Sequence, residues 1–219
     1  MAHRATTSAY TNATSVTVTA PAGIADGDIL ICALLHWVSG GGATLTWPSG
    51  FTEIYQRQAT TSYRMGIAWK RASSESGNYT LTAAVSGDLI GIVSAYSGRI
   101  ASGSPVDVSS DTPYTTNDAK VRGAGVTIAT AGSDLLWCGF SYRSDQNDLT
   151  VPSGMTARAD VHDGYECLAL ADLLDQSAAA TGNKDGALGD VTATKHAFLV
   201  ALKPAVATGA TFCPRCILI

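Results

Sequence analysis

The chain is organised around the stretch Gly27-Asp28-Ile29-Leu30-Ile31-Cys32-Ala33-Leu34-Leu35. The residues after Asp28 are apolar without alternation, which is typical of a strand that is buried on both faces. Turn residues flank the stretch, with Pro21 and Gly23 before it and three consecutive glycines from Gly40 after it. The pattern therefore predicts a central strand in a sheet whose two faces are both covered.

A second stretch has the same form: Gly132-Ser133-Asp134-Leu135-Leu136-Trp137-Cys138-Gly139-Phe140. In both stretches an Asp precedes the aliphatic run, and a Cys follows the Asp at the same distance. The turn Pro48-Ser49-Gly50 after the first stretch has a counterpart in Pro152-Ser153-Gly154 after the second. This agreement in order, spacing and turn chemistry predicts two similar halves, residues 16–98 and 121–203.

The composition favours short strands and tight turns over helices. Charged residues make up 15% of the 219 residues, hydrophobic residues 46%, and 22 positions are Gly. Two halves that cannot each bury both faces are expected to share one core. We therefore predict an all-β protein, a two-sheet antiparallel β-sandwich of jelly-roll type with about eight main strands.

The polarity along the chain predicts three regions. Residues 1–15 are polar and are expected to form an N-terminal arm, residues 16–203 a single sandwich, and residues 204–219 a C-terminal tail. Residues 99–120 are predicted to be a long loop that joins the halves. The segment Cys167–Ala180 is rich in helix formers, but the internal repeat places its first part in a strand.

Several classes of function are disfavoured by charge and hydropathy. The net charge of -4 and the scattered Lys and Arg residues argue against a nucleic-acid partner. No apolar run approaches the length of a membrane span, and the N-terminus lacks an apolar signal region. We therefore expect synthesis in a cytoplasm with reduced cysteines, and we expect Cys32, Cys138 and Cys167 to be core residues.

The sharpest local motif is Cys213-Pro214-Arg215-Cys216, which has the form of half a zinc site or of a redox pair. A zinc site needs further ligands, and contacts between tails in a trimer are one way to supply them. The ending Cys216-Ile217-Leu218-Ile219 also has the form of a prenylation signal, but no polybasic stretch supports it. We expect this apolar end to dock on a partner or to add an edge strand.

Two polar clusters contain residue types that bind metals. These are Asp160-Val161-His162-Asp163 and the set Asn183, Asp185 and Asp190 in a Gly-containing segment. The second set lacks the spacing of an EF-hand loop, and both are predicted to be solvated turns. The chain also lacks a nucleophile elbow, a Walker loop and a His-Glu-x-x-His motif. We therefore predict no catalytic, cofactor-binding or metal-binding residues.

A set of ordered turn and strand motifs resembles a module found in structural proteins of tailed phages. The resemblance covers most of residues 15–100, and a degenerate second copy extends it to about residue 203. Its motifs are Pro21-x-Gly23-Ile24-x-x-Gly27-Asp28-Ile29-Leu30, Pro48-Ser49-Gly50-Phe51-Thr52, Ile67-Ala68-Trp69-Lys70, Tyr79-Thr80-Leu81 and Ala95-Tyr96-Ser97-Gly98. Such a resemblance implies a fold and a place in the virion, and it supplies no catalytic residues.

A chain made of little beyond this module, with short arms, is similar to capsid decoration or cement proteins. The resemblance implies a non-enzymatic homotrimer that is synthesised in the cytoplasm of the bacterial host and lies on the surface of the virion head. There it is expected to stabilise the shell by binding the assembled major capsid protein. Contacts are expected from the two ends of the chain and from an aromatic residue beside the glycine run. The candidate contact residues are Arg4, Tyr10, Trp37, Phe212, Arg215, Ile217, Leu218 and Ile219.

Two other functions remain open at this point. The first is a tail or fibre component that binds a receptor or a carbohydrate, because Trp37, Trp47, Tyr55 and Tyr63 fall near predicted strand ends, where aromatic rings can stack on sugars. The second is a polysaccharide depolymerase, for which the sequence offers no paired carboxylates with an arguable placement. A sandwich fold alone does not decide among these functions.

Overall fold

A computed structural model gives the architecture of most of the chain. It describes residues 2–40, 44–60, 62–114, 119–142, 149–163, 165–189 and 194–206. The described residues form β-strands and contain no helix, so none of them forms a helix long and apolar enough to cross a membrane. The prediction of an all-β protein is therefore confirmed.

Thirteen strands lie within the described residues, where the sequence predicts about eight. They are β1 (Ala2–Val18), β2 (Ile29–Trp37), β3 (Leu45–Thr46), β4 (Thr52–Thr60), β5 (Tyr63–Arg71), β6 (Tyr79–Ser97), β7 (Val106–Tyr114), β8 (Lys120–Gly123), β9 (Ser133–Tyr142), β10 (Thr156–His162), β11 (Glu166–Gln176), β12 (Lys184–Ala187) and β13 (Thr194–Leu202). Three of the strands are short, since β3, β8 and β12 have two to four residues each.

Two antiparallel sheets pack face to face. The first has the strand order β1-β6-β2-β5-β4, with β3 attached to β6, and the second has the order β10-β11-β9-β13-β7. One apolar cluster lies between them and takes side chains from both sheets, including Ile31 and Ile67 from the first and Leu136 and Leu170 from the second. Burial of these side chains is the main force that holds the two sheets together.

The outer face of each sheet is also covered. In the first sheet, Val18 and Leu81 lie over Gly91 so closely that a Cβ at this glycine would meet Val18 Cγ2 at 2.8 Å. In the second sheet, the two-stranded ribbon β8–β12 covers an apolar cluster that contains Trp137 and Leu199. Both faces of the central strands are therefore dry, which explains why Ile29–Leu35 is apolar at every position and fully buried.

The strand order differs from the expected jelly roll. In chain order, β2, β4, β5 and β6 lie fourth-first-third-second across the first sheet, and β9, β10, β11 and β13 do the same in the second. A Greek key has the order fourth-first-second-third, and a jelly roll contains two such keys. The jelly-roll prediction is therefore not confirmed.

The two matched stretches that contain Asp28 and Asp134 place their equivalent residues on opposite faces of their sheets. Cys32 belongs to the outer cluster of the first sheet, whereas Cys138 belongs to the cluster between the sheets. Because successive side chains in a strand point to opposite faces, a shift of one residue exchanges the two faces. The prediction that both cysteines and Cys167 are core residues is nevertheless confirmed, since all three are buried and free.

Two segments differ from their predicted form. Residues 2–15, expected as part of an arm, belong to β1, which pairs with β6 from Ala2 to Val18 with two irregularities. Part of the predicted loop 99–120 is β7, which pairs with β13 at the edge of the second sheet.

The segment with helix-forming residues behaves as the internal repeat predicts. Glu166–Gln176 is the strand β11, paired with β10 on one side and β9 on the other. Leu168 and Leu170 point into the core between the sheets, while Ala169 and Ala171 face the outer cluster. Burial on both faces thus overrides a local preference for helix, which is worth less than 1 kcal/mol per residue.

Candidate functional site

A cavity of about 330 Å³ opens at the end of the sandwich where β2 and β9 finish. Its lining residues come from both sheets and are Trp37, Asp88, Tyr142, Tyr165 and Glu166. Trp37 and Tyr142 are the last residues of β2 and β9, and Glu166 is the first residue of β11. The two central strands end side by side here, so the packing of the sheets itself creates the cavity.

The wall of this cavity is largely aromatic. The rings of Trp37 and Tyr142 are stacked, with centroids 5.6 Å apart and an angle of 21° between their planes. Tyr63 supports Tyr142 from the core at 5.8 Å. Tyr165 is 62% exposed and is the outermost of these rings. A fixed inner stack and an exposed outer ring provide flat apolar surfaces with polar edges.

Three carboxyl groups meet beside the aromatic wall. Single oxygen atoms of Asp88, Asp163 and Glu166 all lie within 4.8 Å of one another. Asp88 belongs to the first sheet and accepts hydrogen bonds from Tyr10 Oη at 2.8 Å and Asn12 Nδ2 at 2.6 Å. In the second sheet, Asp163 lies in the turn between β10 and β11, and Glu166 is the first residue of β11. The carboxyl groups thus join the two sheets at the rim of the cavity.

The pKa values of Asp163 and Glu166, which lie at the connection between β10 and β11, are shifted in opposite directions. Burial, the hydrogen bond to Asp163 and the negative charge of Asp163 together raise the pKa of Glu166 to about 9. Burial also acts to raise the pKa of Asp163, but hydrogen bonds from Glu166 and from the backbone N–H groups of Tyr165 and Glu166 lower it overall. At neutral pH, therefore, Glu166 keeps its proton and donates a hydrogen bond to the carboxylate of Asp163.

The structure brings two of the predicted contact residues together and separates a third. Trp37 lines the cavity, and Tyr10 donates a hydrogen bond to Asp88 at the rim of the cavity. Arg4 lies elsewhere, where its Nε is 2.5 Å from Asp28 Oδ2. The other predicted contacts lie outside the described residues, as do both cysteines of the tail motif: Phe212, Cys213, Arg215, Cys216, Ile217, Leu218 and Ile219.

The remaining rim aromatics have structural roles. Tyr63 is fully buried, and Tyr55 stacks on Phe198 at 5.3 Å and shares a hydrogen bond with Ser109. Trp47 donates a hydrogen bond from Nε1 to Glu53 at 3.0 Å on the outer side of the first sheet. None of these three rings lines the cavity.

Sequence reasoning missed four of the five lining residues, namely Asp88, Tyr142, Tyr165 and Glu166. Tyr142 and Glu166 are strand ends and Tyr165 lies next to one, whereas Asp88 lies within β6, opposite the end of β2. These positions are known to meet only once the order of strands in both sheets is known. The set Asn183, Asp185 and Asp190 was predicted to be a solvated turn, but Asp185 lies in the strand β12. Arg122 donates two hydrogen bonds to its carboxylate, at 2.8 and 2.9 Å. Asp190 of the same set lies outside the described residues.

No family model, curated protein or solved structure matches this chain.

Proposed function

We propose that this chain is a non-enzymatic binding protein of a tailed-phage particle and that its aromatic cavity binds a saccharide of the host surface. The observation that carries the proposal is the joint presence of stacked aromatic rings and carboxyl groups around one cavity. Aromatic faces pack against the apolar faces of sugar rings, and carboxylates accept hydrogen bonds from sugar hydroxyls. The cavity volume falls within the range of small-molecule sites.

The charge of the cavity narrows the class of saccharide. Its rim contains the carboxylates of Asp88 and Asp163 beside the protonated Glu166, and the described lining includes no basic side chain. Acidic sugars are repelled by such a site, and protonated amino sugars are attracted to it. The proposed ligand is therefore an amino sugar or a neutral sugar.

The arrangement of the carboxyl groups supports binding rather than hydrolysis. The two carboxyl groups of a glycoside hydrolase flank the scissile bond and lie about 5 Å or more apart. Glu166 and Asp163 are instead hydrogen bonded to each other, and Asp163 also accepts two backbone N–H groups. This pair leaves no gap for a glycosidic bond, so we propose no catalytic residues.

Saccharide binding is tested with an array of glucosamine, glucose and galacturonic acid oligomers probed with the full chain. We expect the signal to fall in that order, because the charge of the sugar changes from positive through neutral to negative. Raised salt should weaken the glucosamine signal most. Binding to galacturonic acid oligomers alone, or to none of the three, would contradict the proposal.

The capsid decoration function implied by the resemblance remains a second proposal, with the major capsid protein as partner and a homotrimer as the assembly. The observation that favours it is the length of β1, which has 17 residues and is an edge of its sheet. Strands usually have 3–10 residues, and a long exposed edge is a surface on which another chain can add a strand. The contact would then use a preformed edge instead of an arm that orders on binding.

Copy number in purified virions tests the decoration proposal. Quantitative mass spectrometry against the major capsid protein is expected to give a fixed large fraction of the capsid copy number. A few copies per particle would overturn the head-surface location and favour a tail position for the saccharide-binding protein. Absence from the particle would contradict both proposals.

We also propose that the two sheets descend from one duplicated unit. Both sheets have the same order of corresponding strands, and the turns Pro48–Gly50 and Pro152–Gly154 precede corresponding edge strands. The irregularity between Glu53 and Tyr55 in β4 has a counterpart between Ala157 and Ala159 in β10. A shared bulge at the same distance from a shared turn supports duplication, because bulges are conserved within families.

A further inference from the structure

We propose that Asp160, His162 and Cys167 form a binding site for a divalent cation of the zinc type. The site lies on the outer face of the second sheet, and it is independent of the proposed saccharide cavity. The sequence predicts a solvated turn at residues 160–163 and no metal site. In the structure, Asp160 and His162 instead lie in the strand β10, which holds them beside Cys167 in β11.

Strand geometry brings the three side chains together. Asp160 and His162 are two residues apart in β10 and therefore point to the same face. His162 lies directly opposite Cys167 in the antiparallel pair, and the Cys167 side chain faces the outer apolar cluster. The backbone ladder thus fixes the positions of a carboxylate, an imidazole and a thiol before any ion binds.

The distances between donor atoms fit a tetrahedral site. Asp160 Oδ1 lies 3.3 Å from Cys167 Sγ and 3.7 Å from His162 Nδ1, and the three donor atoms all lie within 4.8 Å of one another. With zinc bonds of 2.0–2.3 Å, two donors of a tetrahedral site are about 3.3–3.6 Å apart. Small side-chain rotations therefore suffice to place one ion at bonding distance from all three.

The donor types and their exposure select the ion. Oxygen, nitrogen and sulfur donors together suit zinc and its neighbours in the transition series more than calcium or magnesium. The side chains of Asp160 and His162 are each 39% exposed, whereas Cys167 is buried. An ion can enter from solvent, where a water completes the fourth position. The thiol, which donates a hydrogen bond to Asp160, releases its proton to solvent when the metal binds.

Cobalt(II) is the probe, because a thiolate bound to it gives a charge-transfer absorption band in the near ultraviolet. The titration uses the full chain with Cys213→Ser and Cys216→Ser, since those two residues have the spacing of half a metal site themselves. We expect a saturable band that zinc removes by competition. Absence of the band in this background would overturn the proposal.

Three variants assign the ligands. Cys167→Ser is expected to abolish the band, and His162→Gln and Asp160→Asn to weaken cobalt affinity roughly tenfold or more, since even indirect partners of a metal ligand contribute that much. His162 and Asp160 are partly exposed, so their variants test the site without a large effect on folding. Cys32→Ala is the matched control, because this buried cysteine lies in the other sheet and should leave the band unchanged. A band that persists in Cys167→Ser, or an affinity unchanged in His162→Gln, would contradict the assignment.

Discussion

Replacement of Arg99 by Leu is expected to lower the free energy of unfolding by about 3–5 kcal/mol at pH 7. Arg99 Nη2 lies 3.0 Å from Asp134 Oδ2, and neither side chain has any exposure to solvent. Removal of the guanidinium leaves a carboxylate in the interior without a counter-charge. The loss is therefore much larger than for a surface ion pair, and urea unfolding of the full chain measures it.

The position of Arg99 explains why this pair matters for the fold. Its guanidinium donates to the carbonyl of Ser97, at the end of β6 in the first sheet, and to that of Leu202, at the end of β13 in the second. Asp134 lies in β9 and accepts a hydrogen bond from the backbone N–H of Asp175. One cation therefore links three strands from both sheets, at the point where the chain passes from the first sheet to the second.

The loss in Arg99→Leu should depend on pH in a specified direction. Burial already raises the pKa of Asp134, and the positive charge of Arg99 opposes that rise. Without Arg99 the pKa rises further, so the folded state keeps a proton that the unfolded state releases above about pH 4. The difference from wild type should be largest near pH 7 and shrink toward pH 4. A loss that stays constant over this range would contradict the buried-pair explanation.

Two variants control this experiment. Arg4→Leu removes the partner of Asp28, but the Arg4 side chain is 36% exposed, so we expect a loss within about 1 kcal/mol. The double variant Arg99→Leu with Asp134→Leu removes both charges and should recover much of the stability, because an apolar pair can replace a buried ion pair. A double variant as unstable as Arg99→Leu would show that the loss comes from packing and not from charge.

Replacement of Trp137 by Ala is expected to cost about 3–5 kcal/mol. Trp137 is fully buried in the outer cluster of the second sheet. A Cβ added at Gly139 would lie 2.1 Å from its ring, one at Gly186 would lie 2.7 Å away, and one at Gly123 3.0 Å away. Glycines on three strands thus provide the space for one indole, and its loss leaves a cavity that the ribbon β8–β12 cannot fill.

Amide hydrogen exchange and a double-mutant cycle test this arrangement. In Trp137→Ala, exchange in β8 and β12 should increase more than in the first sheet, because the ribbon loses its main contact. Gly139→Ala should destabilise the wild type by about 1–3 kcal/mol and the Trp137→Ala variant by less, because the ring no longer meets the added methyl group. Additive losses in the two variants would contradict the contact. Trp47→Ala, at a half-buried tryptophan of the other sheet, is the matched control.

The sequence pattern predicted strands wherever apolar residues were buried on both faces. The runs Ile29–Leu35 and Leu135–Phe140 and the repeated Pro-Ser-Gly turns identified an all-β sandwich, because only a strand with two covered faces is apolar at every position. The prediction of an arm at residues 1–15 is wrong because these residues from Ala2 onward belong to β1, an edge strand with polar alternation and few core residues. The order of the strands in each sheet could not be predicted from the sequence either, since it depends on contacts between distant parts of the chain.

The candidate site was only partly predictable for the same reason. Trp37 was a candidate as an aromatic residue beside the glycine run, and Tyr10 as part of the expected N-terminal arm. Asp88, Tyr142 and Glu166 carried no local signal, and they become neighbours only because β9 ends and β11 begins beside the part of β6 that pairs with the end of β2. Likewise, the donor set at Asp160, His162 and Cys167 depends on the register of β10 with β11, which no motif encodes.

Saccharide binding by the aromatic cavity is tested most directly by the dissociation constant of a glucosamine oligomer for wild type and for Tyr165→Ala. Tyr165 lines the cavity and is largely exposed, so its removal should leave the fold intact. We predict a rise in the dissociation constant of about tenfold, equivalent to ~1.4 kcal/mol. Val206→Ala, at an exposed apolar residue elsewhere, should leave it unchanged. Equal affinities for wild type and Tyr165→Ala would contradict the account.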